Sequence, residues 1–219
     1  MKSKIEKLIT DSSFDYLQPY FYNNPFALRC ELGAGKTHAA YMRRARNRAK
    51  QIYGILFSRR ADAIIFNQWI CDWSDSGAAE KDEYGESAGE IIKMRLGSET
   101  RALRFLLENM MNYRHVSVKG LSTYDDRAAD GARRNRIVCY ADETGFDDLH
   151  LIRKQIDNEE NCEVSLVSFE NECILSVYDD RGCDIVFASY EKMREFYPRL
   201  QPFFLDYDRE LMEKRYNNI

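Results

Sequence analysis

The segment Tyr178-Asp179-Asp180-Arg181-Gly182 sets two carboxylates beside a guanidinium, with Asp184 two positions past the glycine. Such a group could hold a divalent cation or exchange protons as acid and base. Adjacent residues on a hairpin diverge, however, and no histidine lies near. Aspartates also open turns by bonding their own backbone, and Gly182 offers the positive φ that a tight hairpin needs. The turn role accounts for the segment, so neither a metal nor a catalytic residue is assigned to it. A partial echo, Tyr124-Asp125-Asp126-Arg127, shares four residues and is read as coincidence.

A second candidate is GAGKT, residues 33–37. A phosphate cradle needs G-x-x-x-x-G-K-[ST], a loop long enough to wrap a phosphate in backbone N–H groups. Here the position five before Gly35 is Cys30, inside an alternating strand, and Asp72 is the nearest Walker-B-type aspartate. The loop is too short to encircle a phosphate. It reads as a strand-to-helix turn whose glycines supply backbone freedom, and no cofactor is expected. His38, His115 and His150 are scattered, and neither G-x-S-x-G nor H-E-x-x-H occurs.

Charge is distributed in blocks. Between Glu31 and Asp62 lie eight lysines and arginines and no carboxylate, although the whole chain carries a net charge of −4. Arg43, Arg46 and Lys50 flank one side of a helical stripe there, and Arg44 and Arg48 the other. A basic helix can track phosphates. The alternative is that these arginines meet the protein's own carboxylates. The opposite block is Asp72, Asp75, Glu80, Asp82, Glu83, Glu86 and Glu90, relieved only by Lys81. An acidic surface excursion over 72–90 could steer a cationic partner.

The elements that must position these residues follow from periodicity. FALRCEL alternates and reads as a strand. From Thr37 to Phe57, Met42, Ala45, Ala49, Ile52 and Leu56 step by three and four, giving one apolar stripe on a long helix. DAIIFNQW (62–69) and RIVCY (136–140) read as strands, and the glycine-punctuated stretch 119–136 as a loop. Ile5 and Leu8, Leu103 to Met110, and Leu149 to Ile156 mark shorter helices. EVSLVSF and CILSVY, separated by ENE, then DDRG and CDIVF, make a three-stranded antiparallel meander. The closing stretch from Ser189 is helical, interrupted before Pro198 and Pro202. Strands and helices mix without strict alternation. The fold class is α+β: a single domain, mostly antiparallel sheet with a C-terminal meander, packed by the long basic helix and C-terminal helices.

A chain of 219 residues can bury one sizeable core. The start, MKSKIEKLITDSS, has no apolar secretory segment, and no window approaches a membrane span. Six cysteines without C-x-x-C spacing then read as buried reduced thiols in a cytoplasmic protein.

Four segments carry a resemblance: FALRCELG (26–33), RAKQIYGILF (48–57), VYDDRGCDI (177–185) and LDYDRE (205–210). With them the chain resembles an uncharacterised bacterial family, the domain of unknown function 3885. The resemblance implies a single cytosolic α+β domain and no established reaction. The charged residues its motifs pick out are Arg29 and Glu31, Asp179 to Arg181, and Asp206, Asp208 and Arg209. They are expected to form a structural polar network.

Three functions compete. The preferred one is a non-enzymatic binding protein, an immunity or antitoxin-type inhibitor that covers a toxin domain. Its partner-binding residues are then Asp72, Asp75, Glu80, Asp82, Glu83 and Glu86, with tyrosines as anchors. The second is a nucleic-acid-binding protein using Arg43, Arg46 and Lys50. The third is a hydrolase or transferase using Asp179, Asp180 or Glu31.

Overall fold

The computed structural model describes Leu8 and residues 20–72, 116–121, 133–142, 147–157 and 163–217. One helical turn, α1 (Tyr20–Asn23), leads past Pro25 into β1 (Ala27–Glu31). The GAGKT turn then opens α2 (His38–Leu56), whose first turn is capped by Thr37 accepting the Ala40 N–H at 3.3 Å. The expected stripe is the buried one: Ala45, Ala49, Ile52 and Leu56 are inside, with Met42 at the core's margin.

Next come β2 (Ala63–Asp72), β3 (Val116–Leu121), β4 (Arg133–Asp142) and α3 (Asp148–Ile156). The loop expected over 119–136 is therefore shorter at both ends. Pairing with β4 holds Lys119 and Gly120 extended despite their polarity. The helices expected around Ile5 and from Leu103 to Met110 lie outside the described residues, apart from Leu8, which is helical.

β5 (Glu163–Ser168), β6 (Cys173–Val177) and β7 (Gly182–Phe187) complete one antiparallel seven-stranded sheet, in the order β1-β7-β6-β5-β2-β4-β3. The β5–β6 turn uses Glu172 at φ 48° in place of a glycine. α4 (Tyr190–Leu200) runs through Pro198 and ends before Pro202, which falls in a 3₁₀ turn, Gln201–Phe203. Pro198 removes one helix hydrogen bond, but Met193, Phe196, Tyr197 and Leu200 bury the same face across it. A second 3₁₀ turn, Asp206–Asp208, leads into α5 (Arg209–Asn217).

Register sorts the two faces of the sheet. Leu28, Cys183, Leu175 and Leu166 share the apolar face with their alternate neighbours, and α3 packs there through Leu151 and Ile152. Arg29, Asp184, Ser176 and Ser165 are opposite one another on four successive strands, a polar row on the other face. All four are buried.

β1 is an edge strand, and the C-terminal segment covers its outer side. Leu205 N–H donates to Arg29 C=O at 3.2 Å, and Phe204 bridges Cys30. Arg29 N–H reaches Met212 Sδ at 3.3 Å, while Arg215 donates to Ala27 C=O at 3.0 Å. The otherwise bare edge is thus closed by the chain itself.

Candidate functional site

The polar row begins at Arg29, which β1 places opposite Asp184 of β7. Arg29 Nε donates to Asp184 Oδ1 at 2.8 Å and Nη2 to Oδ2 at 3.1 Å, while Nη1 lies 3.4 Å from Asp208 Oδ2. Both carboxylates have further donors: Phe21 N–H on Asp184 at 3.0 Å and Tyr22 OH on Asp208 at 2.8 Å. The guanidinium also lies against the rings of Tyr22 and Phe21, 4.7 and 5.0 Å from their centroids. Burial alone would lower the Arg29 pKa. The Asp184 hydrogen bonds and charge outweigh it, so the net shift is upward and Arg29 stays charged.

Beside this ion pair, β1, β6, β7 and the start of α2 border an open cleft of about 810 Å³. Ser176 and Asp184 lie at its buried end, Tyr20, Tyr41 and Tyr178 form walls, and Glu31, Asp179 and Arg181 reach the more exposed part. Two glycines admit the aromatic walls. A Cβ on Gly33 would stand 1.9 Å from Tyr41 Cζ, and one on Gly182 would stand 2.1 Å from the Tyr178 hydroxyl and 2.8 Å from Cys30 C=O. Gly182 does not take the positive φ that turn chemistry suggests; it is glycine because Tyr178 and β1 come so close.

The phenols of Tyr178 and Tyr41 are raised above the ordinary tyrosine value. Burial raises Tyr178, assisted by the charge of Asp184. Tyr41 is raised by burial and then by Asp180, Asp179 and Glu31. Ser176 is 1% exposed and its cross-strand neighbour Ser165 is fully buried, and neither hydroxyl has a hydrogen-bond partner among the described residues. An unmet buried hydroxyl costs about 1–3 kcal/mol.

The sequence model of the domain of unknown function DUF3885 matches residues 7–208. The chain belongs to this family. Comparison with curated proteins and with solved structures returned no match. The DUF3885 segments that carry the resemblance meet in space around the cleft. FALRCELG is β1 with the start of the turn, VYDDRGCDI is the hairpin into β7, and LDYDRE lies along the β1 edge. RAKQIYGILF contributes Arg48, which bonds Glu31 at 3.1 Å.

In this DUF3885 chain the expected charged set divides. Arg29 and Asp208 belong to the buried cluster, whose centre, Asp184, sequence reading left outside the network. Asp179 takes the Arg181 side chain and its N–H, and Asp206 takes Arg209 at 2.8 Å; both pairs are local and largely exposed. Asp180 forms no hydrogen bond among the described residues. Tyr22, from α1, and Arg215, which bonds Phe21 C=O at 2.9 Å, were missed. The alternation Gly182-Cys183-Asp184 was the available signal for Asp184, since it puts that carboxylate on one face of its strand.

Of the basic helix, Arg46 is bonded to Asp157 at 2.6 Å, whereas Arg43 and Lys50 are exposed with no ion-pair partner among the described residues. Asp72 ends β2, and Asp75, Glu80, Asp82, Glu83 and Glu86 lie outside the described residues. Among the described residues no group of histidine, cysteine and carboxylate side chains is arranged to hold a metal, and no helix is long and apolar enough to cross a membrane.

Proposed function

We propose that the protein is a non-enzymatic binding module, an immunity or antitoxin-type inhibitor that covers a toxin domain with the face around Tyr207. The observation that supports this most is Tyr207 itself, 86% exposed between two aspartates that are both engaged. Tyr22, 47% exposed, bonds the adjoining Asp208, and Leu211, also exposed, follows Tyr207 by four residues. Large amphipathic side chains on a braced base are what protein interfaces use as anchors. The base here is Asp208, fixed by Arg29 and Tyr22.

The motif carboxylates fit bracing better than proton transfer. Asp184 accepts from Arg29 through both oxygens, Asp179 holds Arg181, and burial raises the Tyr178 phenol beside them further above neutral pH. The test is co-expression with the product of the adjacent gene. A one-to-one complex that relieves that product's toxicity, and that fails with Tyr207→Ala and Tyr22→Ala, is expected. A monomer that never protects the cell would count against the reading.

A second reading rests on Arg43 and Arg44, which line an open hollow of about 530 Å³ with Asn47 and Gln51. Neither arginine has a carboxylate partner among the described residues. Nucleic-acid retention that weakens with salt and with Arg43→Gln/Arg44→Gln would favour it.

A further inference from the structure

We propose that the cleft beside the Arg29–Asp184 pair is a receptor site for an alkylammonium or guanidinium group. The proposal concerns the isolated chain and does not depend on the toxin-domain reading.

Which ligand class fits is decided by which groups already have partners. The two cations that line the cleft are each held by a carboxylate: Arg29 by Asp184 and Asp208, Arg181 by Asp179. An anion would have to compete with those carboxylates. Acceptors are in surplus instead. Carboxylates outnumber guanidinium groups three to two among the lining residues, and Glu31 uses only Oε2 in bonding Arg48. Asp180, beside the same wall, has no hydrogen bond among the described residues, and burial first, then the charges of Asp180, Asp179 and Glu31, raise the Tyr41 phenol.

The interior adds an independent pointer. Ser176 lines the cleft nine-tenths and more buried, and its hydroxyl has no partner among the described residues although it lies in register with Asp184. A donor-rich ligand entering between the Tyr41 and Tyr178 rings would give that oxygen a partner. Aromatic faces and acidic side chains together are a recognised environment for organic cations. The volume, about 810 Å³, lies in the range of small-molecule sites, about 300–1,000 Å³.

Two sources carry this chemistry: a free diamine or guanidino compound, and a lysine or arginine side chain of another protein. Calorimetric titration of the isolated chain with agmatine, with cadaverine and with short lysine- or arginine-bearing peptides separates them. Saturable binding of the free compounds assigns a small ligand; binding of the peptides alone assigns a side chain. Either outcome supports the site, provided Glu31→Gln and Tyr41→Ala each weaken binding about tenfold or more while circular dichroism shows the fold kept. Ser176→Ala is expected to weaken it by a smaller factor. No saturable binding by any cationic probe overturns the proposal. So does undiminished affinity in both Glu31→Gln and Tyr41→Ala, or preferential binding of glutamate or phosphate.

Discussion

Asp184 grips Arg29 with both oxygens, and their separation of 155 positions along the chain makes this contact a direct record of β1 docking on β7. A buried pair of this kind is most vulnerable when only one member is removed, because the survivor keeps its charge without a partner. Asp184→Leu alone, or Arg29→Met alone, is expected to cost about 3–5 kcal/mol in urea unfolding. The double variant is expected to lose clearly less than the sum. Additive losses would show that the pair is not energetically coupled.

Gly182→Ala is expected to destabilise the fold by about 1–3 kcal/mol, because the new methyl meets the Tyr178 hydroxyl and Cys30 C=O together. Adding Tyr178→Phe should not restore stability, since the carbonyl is backbone and stays. Gly33→Ala differs. Its nearest neighbour is the far end of the Tyr41 side chain, so the ring can swing aside. The expected result is a small change in midpoint with a changed near-ultraviolet tyrosine signal. Equal, large losses at both glycines would refute the distinction.

Asp148 is a carboxylate whose burial raises its pKa, against the hydrogen bonds from Tyr53 OH and Ala61 N–H, both at 2.6 Å. The folded chain therefore binds this proton at a pH where the unfolded chain has already released it. Its contribution to stability is fully present below the unfolded pKa, and is lost as pH rises through the folded one. Asp148→Asn removes the titration. Denaturation from about pH 4 upward should show the wild type losing ground to the variant. A difference that is flat with pH would contradict the assignment.

Cys30, Cys173 and Cys183 are buried, free thiols. Cys183 is raised by its hydrogen bond with Cys30 and by burial, and Cys173 by burial first. Burial shields all three from reagent, so they should resist alkylation at pH 8 in the native protein and react in denaturant, as read by peptide mass spectrometry. Rapid native labelling of Cys183 would place it in a different environment.

Legibility followed the range of the interaction. The α2 stripe, the strands around ENE and the antiparallel character were readable because each is a pattern within about twenty residues. The polar cluster was only half readable. Arg29, Asp208 and the hairpin stood out as charged motifs, but nothing local says that Asp184 is the partner of Arg29 or that Tyr22 closes on Asp208. Those contacts depend on strand order and register, which pair segments more than 150 residues apart. Gly182 shows the same limit. Turn chemistry suggested a backbone reason, while the actual one is a side chain and a strand that only the folded chain brings near. Pro198 misled in the opposite direction, since a packed helix face tolerates one missing bond.

The segment from Phe204 to Arg215 behaves as a built-in tenant of the β1 margin, taking up the main-chain groups that another polypeptide would seek. Recognition by β-strand addition is therefore closed at that side of the sheet. Whatever docks there must read side chains, and its selectivity must be written in ring faces and carboxylates instead of in main-chain pairing.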